Sequence, residues 1–125
     1  MSEASHLLDS SILVHLLEGR PAVLLKRVQM SDEGSLVVST IAYAEVMLGA
    51  VRADRVEQAE RLIRRFPLLP FDEAAAERYA WLAFKRGSFD RLIAAHGLAL
   101  GLPVVTANTR DFRDIPGLTV ENWTE

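Results

Sequence analysis

Short apolar runs that end in a carboxylate or hydroxyl, each followed by a stretch of helical periodicity, recur along the chain and restrict its fold more than any other feature. His6-Leu7-Leu8 ends at Asp9 and gives way, through Ser10-Ser11 as the expected cap, to the apolar stretch Ile12 to Leu17. Ser35-Leu36-Val37-Val38 ends at Ser39-Thr40 and leads into a helix expected from Ile41 to Ala53. Leu68 to Phe71, Pro103 to Thr106 and Leu118 to Val120 supply three further strand candidates. Between them lie a helix opened by Pro21, one capped by Asp54 and running Arg55 to Phe66, one capped by Asp72 and running to Arg86, and one from Phe89 to Leu100 closed by Gly101. Apolar strands alternating with helices predict an α/β domain with a central, mainly parallel sheet of four to five short strands flanked by helices.

With 125 residues the chain suits one domain spanning 1–125. The absence of cysteine excludes a disulfide scaffold, thiolate-bound zinc and a cysteine nucleophile, so any metal must be held by oxygen or imidazole. The polar N-terminus lacks the layout of a signal peptide, which points to the cytoplasm. The uncharged stretch Leu92 to Thr109 is too interrupted to span a membrane. A net charge of −3 argues against nucleic-acid binding by charge alone, though bound cations can supply the missing positive charge.

In open parallel sheets, ligands bind beyond the carboxyl ends of the strands. Asp9 ends the first strand, Glu45 lies early in the helix after the second, Asp111 follows the fourth, and Asp90 opens the helix before it. Carboxylates gathered at one rim repel one another, which implies a cation or raised pKa values. Oxygen ligation with retained waters suits Mg2+ or Mn2+, and such ions acidify a bound water and neutralise phosphate oxygens. Each acid also has a purely structural use: a helix cap for Asp9 and Asp90, a solvated helix position for Glu45, a turn for Asp111.

Five stretches, in order, carry a resemblance: Leu7 to Val14, Ser39 to Glu45, Asp90 to His96, Val104 to Phe112, and Pro116 to Trp123. Together they resemble PIN-domain proteins of the VapC toxin type. The resemblance implies a Mg2+- or Mn2+-dependent endoribonuclease, the toxin of a toxin–antitoxin pair. Asp9, Glu45, Asp90 and Asp111 would hold the metal and act in catalysis, with Ser11, Thr106 and Asn108 supporting them. It also implies an RNA substrate and a cognate antitoxin, while the apolar helix faces suggest a homodimer.

Two departures stand out. The chain reads Asp9-Ser10-Ser11 where such proteins usually read Asp-Thr-Asn, and only Ser88 and Phe89 separate Gly87 from Asp90. If that short loop kept Asp90 from the rim, a catalytically degenerate PIN-like module for binding protein or RNA would be the alternative.

Other residues have plainer expectations. His15 and His96 read as packing histidines, and Arg52, Arg55, Arg61, Arg64 and Arg65 as a salt-bridged surface. Lys85, Arg86, Arg91 and Arg110 are placed to meet phosphates, and Tyr79, Trp81 and Phe84 to serve core or dimer contacts. A phosphatase would want a second acid two residues after Asp9, where Ser11 stands. A receiver domain would want a lysine late in the chain, and none follows Lys85.

Overall fold

The computed structural model describes residues 3–82 and 88–125. The strands are β1 (His6–Leu8), β2 (Leu36–Ser39), β3 (Leu68–Leu69), β4 (Val104–Val105) and β5 (Val120–Glu121). The helices are α1 (Ser10–Glu18), α2 (Ala22–Met30), α3 (Thr40–Arg52), α4 (Val56–Ile63), α5 (Glu73–Ala80) and α6 (Phe89–Leu100). The sheet order is β3-β2-β1-β4-β5 and every pairing is parallel, so the expected strands all enter one sheet. β5 lies slightly later than the Leu118 to Val120 run that suggested it.

Leu7, Leu8, Val38, Val104 and Val105 are fully buried, as strands covered on both faces require. Helices supply the covering: Ile12 and Leu13 of α1, Ala42 and Val46 of α3, and Ile93 and Ala94 of α6 join the same core. Gly97 lets α6 lie against β4, because a Cβ there would sit 2.8 Å from Val104 Cγ2 and 3.3 Å from the Leu102 carbonyl oxygen. The chain lays β2 and β3 on one side of β1, then crosses to place β4 and β5 on the other. β1 and β4 therefore bound the switch point at which a crevice opens beyond the strand ends.

Several local expectations are met. Gly19 and Gly101 end α1 and α6 in the left-handed conformation, and the Ser39, Asp72 and Ser88 side chains cap α3, α5 and α6. Others are corrected. Asp9, rather than the Ser10-Ser11 pair, occupies the N-cap position of α1, and its side chain makes no cap bond because it accepts from Ser11 and Thr106 instead. Asp54 adopts a left-handed φ of 57° and leaves the start of α4 to Arg55. α5 ends at Ala80, and the part of the expected helix from Ala83 to Arg86 lies outside the described residues.

Candidate active site

Asp9 leaves β1 with its N–H donated to the Val105 carbonyl at 2.9 Å, which fixes it at the switch point, and the residue is 1% exposed. Its Oδ2 accepts two hydroxyl protons, from Ser11 Oγ at 2.9 Å and Thr106 Oγ1 at 2.8 Å. Each hydroxyl accepts a backbone N–H in turn: Ala107 donates to Ser11 at 3.0 Å and Asn108 to Thr106 at 2.9 Å. A hydroxyl has one proton, so with both directed at Asp9 the 3.2 Å approach between Ser11 and Thr106 is a contact rather than a further strong bond. The turn after β4 thus holds Asp9 through two relays.

Oδ1 has a different environment. Ser10 Oγ stands 3.5 Å from it and gives its proton instead to Glu45 Oε1 at 2.6 Å. One oxygen of Asp9 is locked, and the other retains acceptor capacity at the rim. Glu45 reaches Ser10 from α3, whose start is fixed by the Ile41 N–H bonded to Ser39 Oγ at 3.0 Å.

Asp90 is the second residue of α6, one position after the helix begins and held by the Ser88 cap, which accepts the Arg91 N–H at 3.3 Å. Burial pushes its carboxyl from 3.8 up to about 6, and the negative charges of Asp9, Asp111 and Glu45 push in the same direction, as does a hydrogen bond with Asp111. Asp111 sits in the 3-10 turn Thr109–Asp111 after β4 and is exposed. The short loop therefore does not withhold Asp90: its carboxyl feels all three other acids.

Among the described residues no three histidine, aspartate or glutamate side chains stand close enough together to hold a metal ion as they are placed. The arrangement is an open acidic rim. That donor set fits a hard divalent ion, since Mg2+ keeps several waters and needs few protein carboxylates.

Of the supporting residues, Ser11 and Thr106 act through their hydroxyls, whereas Asn108 enters the network by its backbone N–H. The serine at position 11 orients Asp9 despite being shorter than the amide usual there. Ser10's hold on Glu45 was not legible, because a serine after a strand reads equally well as a cap.

Arg91 departs from expectation: it is 7% exposed, with Nη1 3.8 Å from Asp114 Oδ2, rather than standing open to solvent. Arg110 and Arg113 are exposed, and with Arg91 they line a cavity that also reaches Asp90 and Asp111. Sequence reasoning passed over Arg113. Lys85, Arg86 and Phe84 lie outside the described residues.

Trp81 is 82% exposed and so belongs to no core within this chain. His96 packs as expected: buried, with Nδ1 2.8 Å from Ser39 Oγ and its ring edge-on to Phe71. Burial holds the imidazole below its usual pKa against the opposing charge of Asp72. His15 donates from Nδ1 to the Ser11 carbonyl at 2.8 Å, a bond within α1. No helix among the described residues is long and apolar enough to cross a membrane.

The PIN domain family matches residues 6–118 of this α/β domain with its five-stranded parallel sheet. The chain belongs to the PIN-domain family. Its relatives there are VapC proteins. It is 30% identical over 132 residues to "Ribonuclease VapC1" of Haemophilus influenzae, covering 96% of this chain and 98% of the relative. It is 29% identical over 128 residues to the "tRNA(fMet)-specific endonuclease VapC" of Shigella flexneri, covering 94% and 96%.

Among solved structures it resembles DNA-bound VapBC from Salmonella typhimurium, with a TM-score of 0.86 and 29% identity over 97% of this chain and 99% of that one. VapBC-1 from nontypeable Haemophilus influenzae gives a TM-score of 0.80 and 31% identity over 96% and 98%.

Proposed function

We propose that this protein is a divalent-metal-dependent endoribonuclease, the toxin of a toxin–antitoxin pair. The observation that supports the reading best is Ser10 standing between Asp9 and Glu45 beyond the end of β1, with Asp90 near enough that burial and the charges of Asp9, Asp111 and Glu45 raise its carboxyl to about 6. The ribonuclease names of its relatives and the VapBC assemblies among its structural neighbours point the same way.

Asp9 through Oδ1, Glu45, Asp90 and Asp111 are the groups that would hold Mg2+ or Mn2+. Once bound, such an ion supplies an acidified water and neutralises phosphate oxygens. The protein's part is positional. The two hydroxyl relays keep Asp9 from rotating, and Ser10 holds Glu45. Arg110 and Arg113 draw the RNA backbone to the acidic rim, a task the overall charge of −3 cannot perform. The binding-module alternative loses its main support, because it depended on Asp90 missing the rim.

We assign the protein to the cytoplasm, where its RNA is, with a cognate antitoxin as partner. A homodimer is the assembly we propose, since Leu48 and Val51 of α3 are 48% and 65% exposed and gain by mutual burial. Purified protein is expected to cut RNA with Mg2+ or Mn2+ and to stop with chelator; intact RNA under every ion condition would overturn the reading. Expression alone should arrest bacterial growth, and co-expression of a small neighbouring gene product should restore it. Light scattering at micromolar concentration tests the dimer, which a monomer mass would refute.

A further inference from the structure

Two of the cavities that border the acidic rim meet at Asp90 and differ in lining. One, already described, carries Arg91, Arg110 and Arg113 together with Asp111 and Asp114, Arg91 lying against Asp114. The other, about 500 Å³, is lined by Glu45, Tyr79, Ser88, Phe89, Asp90 and Leu92 and contains no basic side chain among the described residues. Both include Asp90, so a group held at that carboxylate has the exposed Arg110 and Arg113 on one side and an aromatic recess on the other.

Phe89 is 39% exposed in the first turn of α6, where a polar residue would satisfy the helix equally well. Tyr79 is half-buried and, among the described residues, its hydroxyl has no protein partner. Ser88 Oγ uses a lone pair to cap α6, which leaves its proton free to donate. Flat apolar walls with two hydroxyls at their edge match a nucleobase, which offers a π-face for stacking and heteroatoms around its rim.

Resting on the ribonuclease reading, we propose that this recess is a base-binding subsite. An unpaired nucleotide next to the phosphate held at the acids inserts its base against Phe89 and Tyr79, while the continuing backbone runs toward Arg110 and Arg113. A base can leave its stack for such a pocket most cheaply where the RNA is already single-stranded. The subsite therefore selects loops or single strands over duplex. A side chain of a protein partner is the competing occupant. The base is favoured because the recess shares Glu45 and Asp90 with the site that handles RNA.

The test is binding of a fluorescently labelled single-stranded oligoribonucleotide to the full chain, measured by anisotropy with Ca2+ in place of Mg2+ and with RNA integrity checked on gels. Phe89→Ala is expected to weaken binding about five- to hundredfold, the range for loss of one stacked base. Phe89→Leu, which keeps apolar contact without a flat face, should weaken it too, and Phe89→Trp should restore it. Replacing successive nucleotides by abasic residues should reveal one position that costs the wild type this factor and costs Phe89→Ala nothing.

RNA that is bound and cleaved with no abasic-sensitive position, or bound equally by Phe89→Ala, overturns the subsite and leaves the ribonuclease reading standing. Loss of inhibition by the partner protein with RNA affinity unchanged assigns the recess to that partner and likewise overturns it. A wild type that neither binds nor cleaves RNA overturns both.

Discussion

Replacing Asp90 by asparagine removes the charge that the rim resists and keeps the shape of the side chain. At about 1.4 kcal/mol per pH unit, a carboxyl moved from 3.8 to about 6 carries about 3 kcal/mol if wholly shielded from water. Asp90 is only half-buried, so solvent screening leaves roughly a third of that, near 1 kcal/mol. For a chain of this size 1 kcal/mol is about 4 °C in Tm.

The direction follows from proton binding. The native state holds this proton more tightly than the unfolded chain does, so the associated stability is complete below about pH 4 and is lost as the pH rises through about 6. Asp90→Asn in chelator should therefore melt about 4 °C above wild type at pH 7.5 and lose that advantage by pH 4. Saturating Mg2+ should erase the gain at pH 7.5, because the variant is expected to bind the ion at least about tenfold more weakly, or about 1.4 kcal/mol. Thermal melts at the two pH values, with chelator and with Mg2+, give all four numbers. Equal melting of the two proteins at pH 7.5 in chelator, or an identical Mg2+ response, would refute the placement of Asp90 among the acids.

Asp9→Asn is expected to abolish metal-dependent RNA cleavage with the fold intact, since the amide oxygen can still accept from Ser11 and Thr106; cleavage at the wild-type rate would sink this role. Thr106→Val removes one donor to Asp9 and leaves the Asn108 N–H without its acceptor, so denaturant melts should show a loss of about 1–3 kcal/mol with a fall in metal affinity by calorimetry. His96 is buried with a lowered pKa, so the stability it confers is present above about pH 6.5 and is lost as the pH falls toward its folded value. His96→Gln should flatten the decline of Tm below about pH 6.5, and an unchanged slope would assign that decline to other groups.

The fold was legible because each structural signal was local. Apolar runs at Leu7-Leu8, Val37-Val38 and Val104-Val105 announce fully covered strands, and Gly19 and Gly101 sit where a left-handed residue must end a helix. What remained hidden depends on contacts distant in sequence. Nothing near Ser10 indicates that its proton goes to Glu45, 35 positions away, and nothing near Asn108 indicates that its backbone rather than its amide would matter. Asp54 was misjudged as a cap because Asp suits both a cap and the left-handed turn it adopts here. The four acids could be named from strand ends and helix starts, but only the packing of α6 against α5, α3 and β4 brings Asp90 within the field of the other three.

That packing divides the site into a fixed half and a costly half. Asp9 is buried and held by two hydroxyls whose own acceptors are occupied by the backbone after β4, so its geometry is set whether or not a cation is present. Asp90 is placed by a helix that must bring one more carboxylate toward charges of the same sign, and the fold tolerates this because α6 is secured elsewhere, by Ile93, Ala94 and the Ser39–His96 bond. A neutral residue at position 90 would suit the metal-free domain better. Keeping a carboxyl there trades stability for affinity toward positive charge, the trade that the proposed metal-dependent nuclease requires.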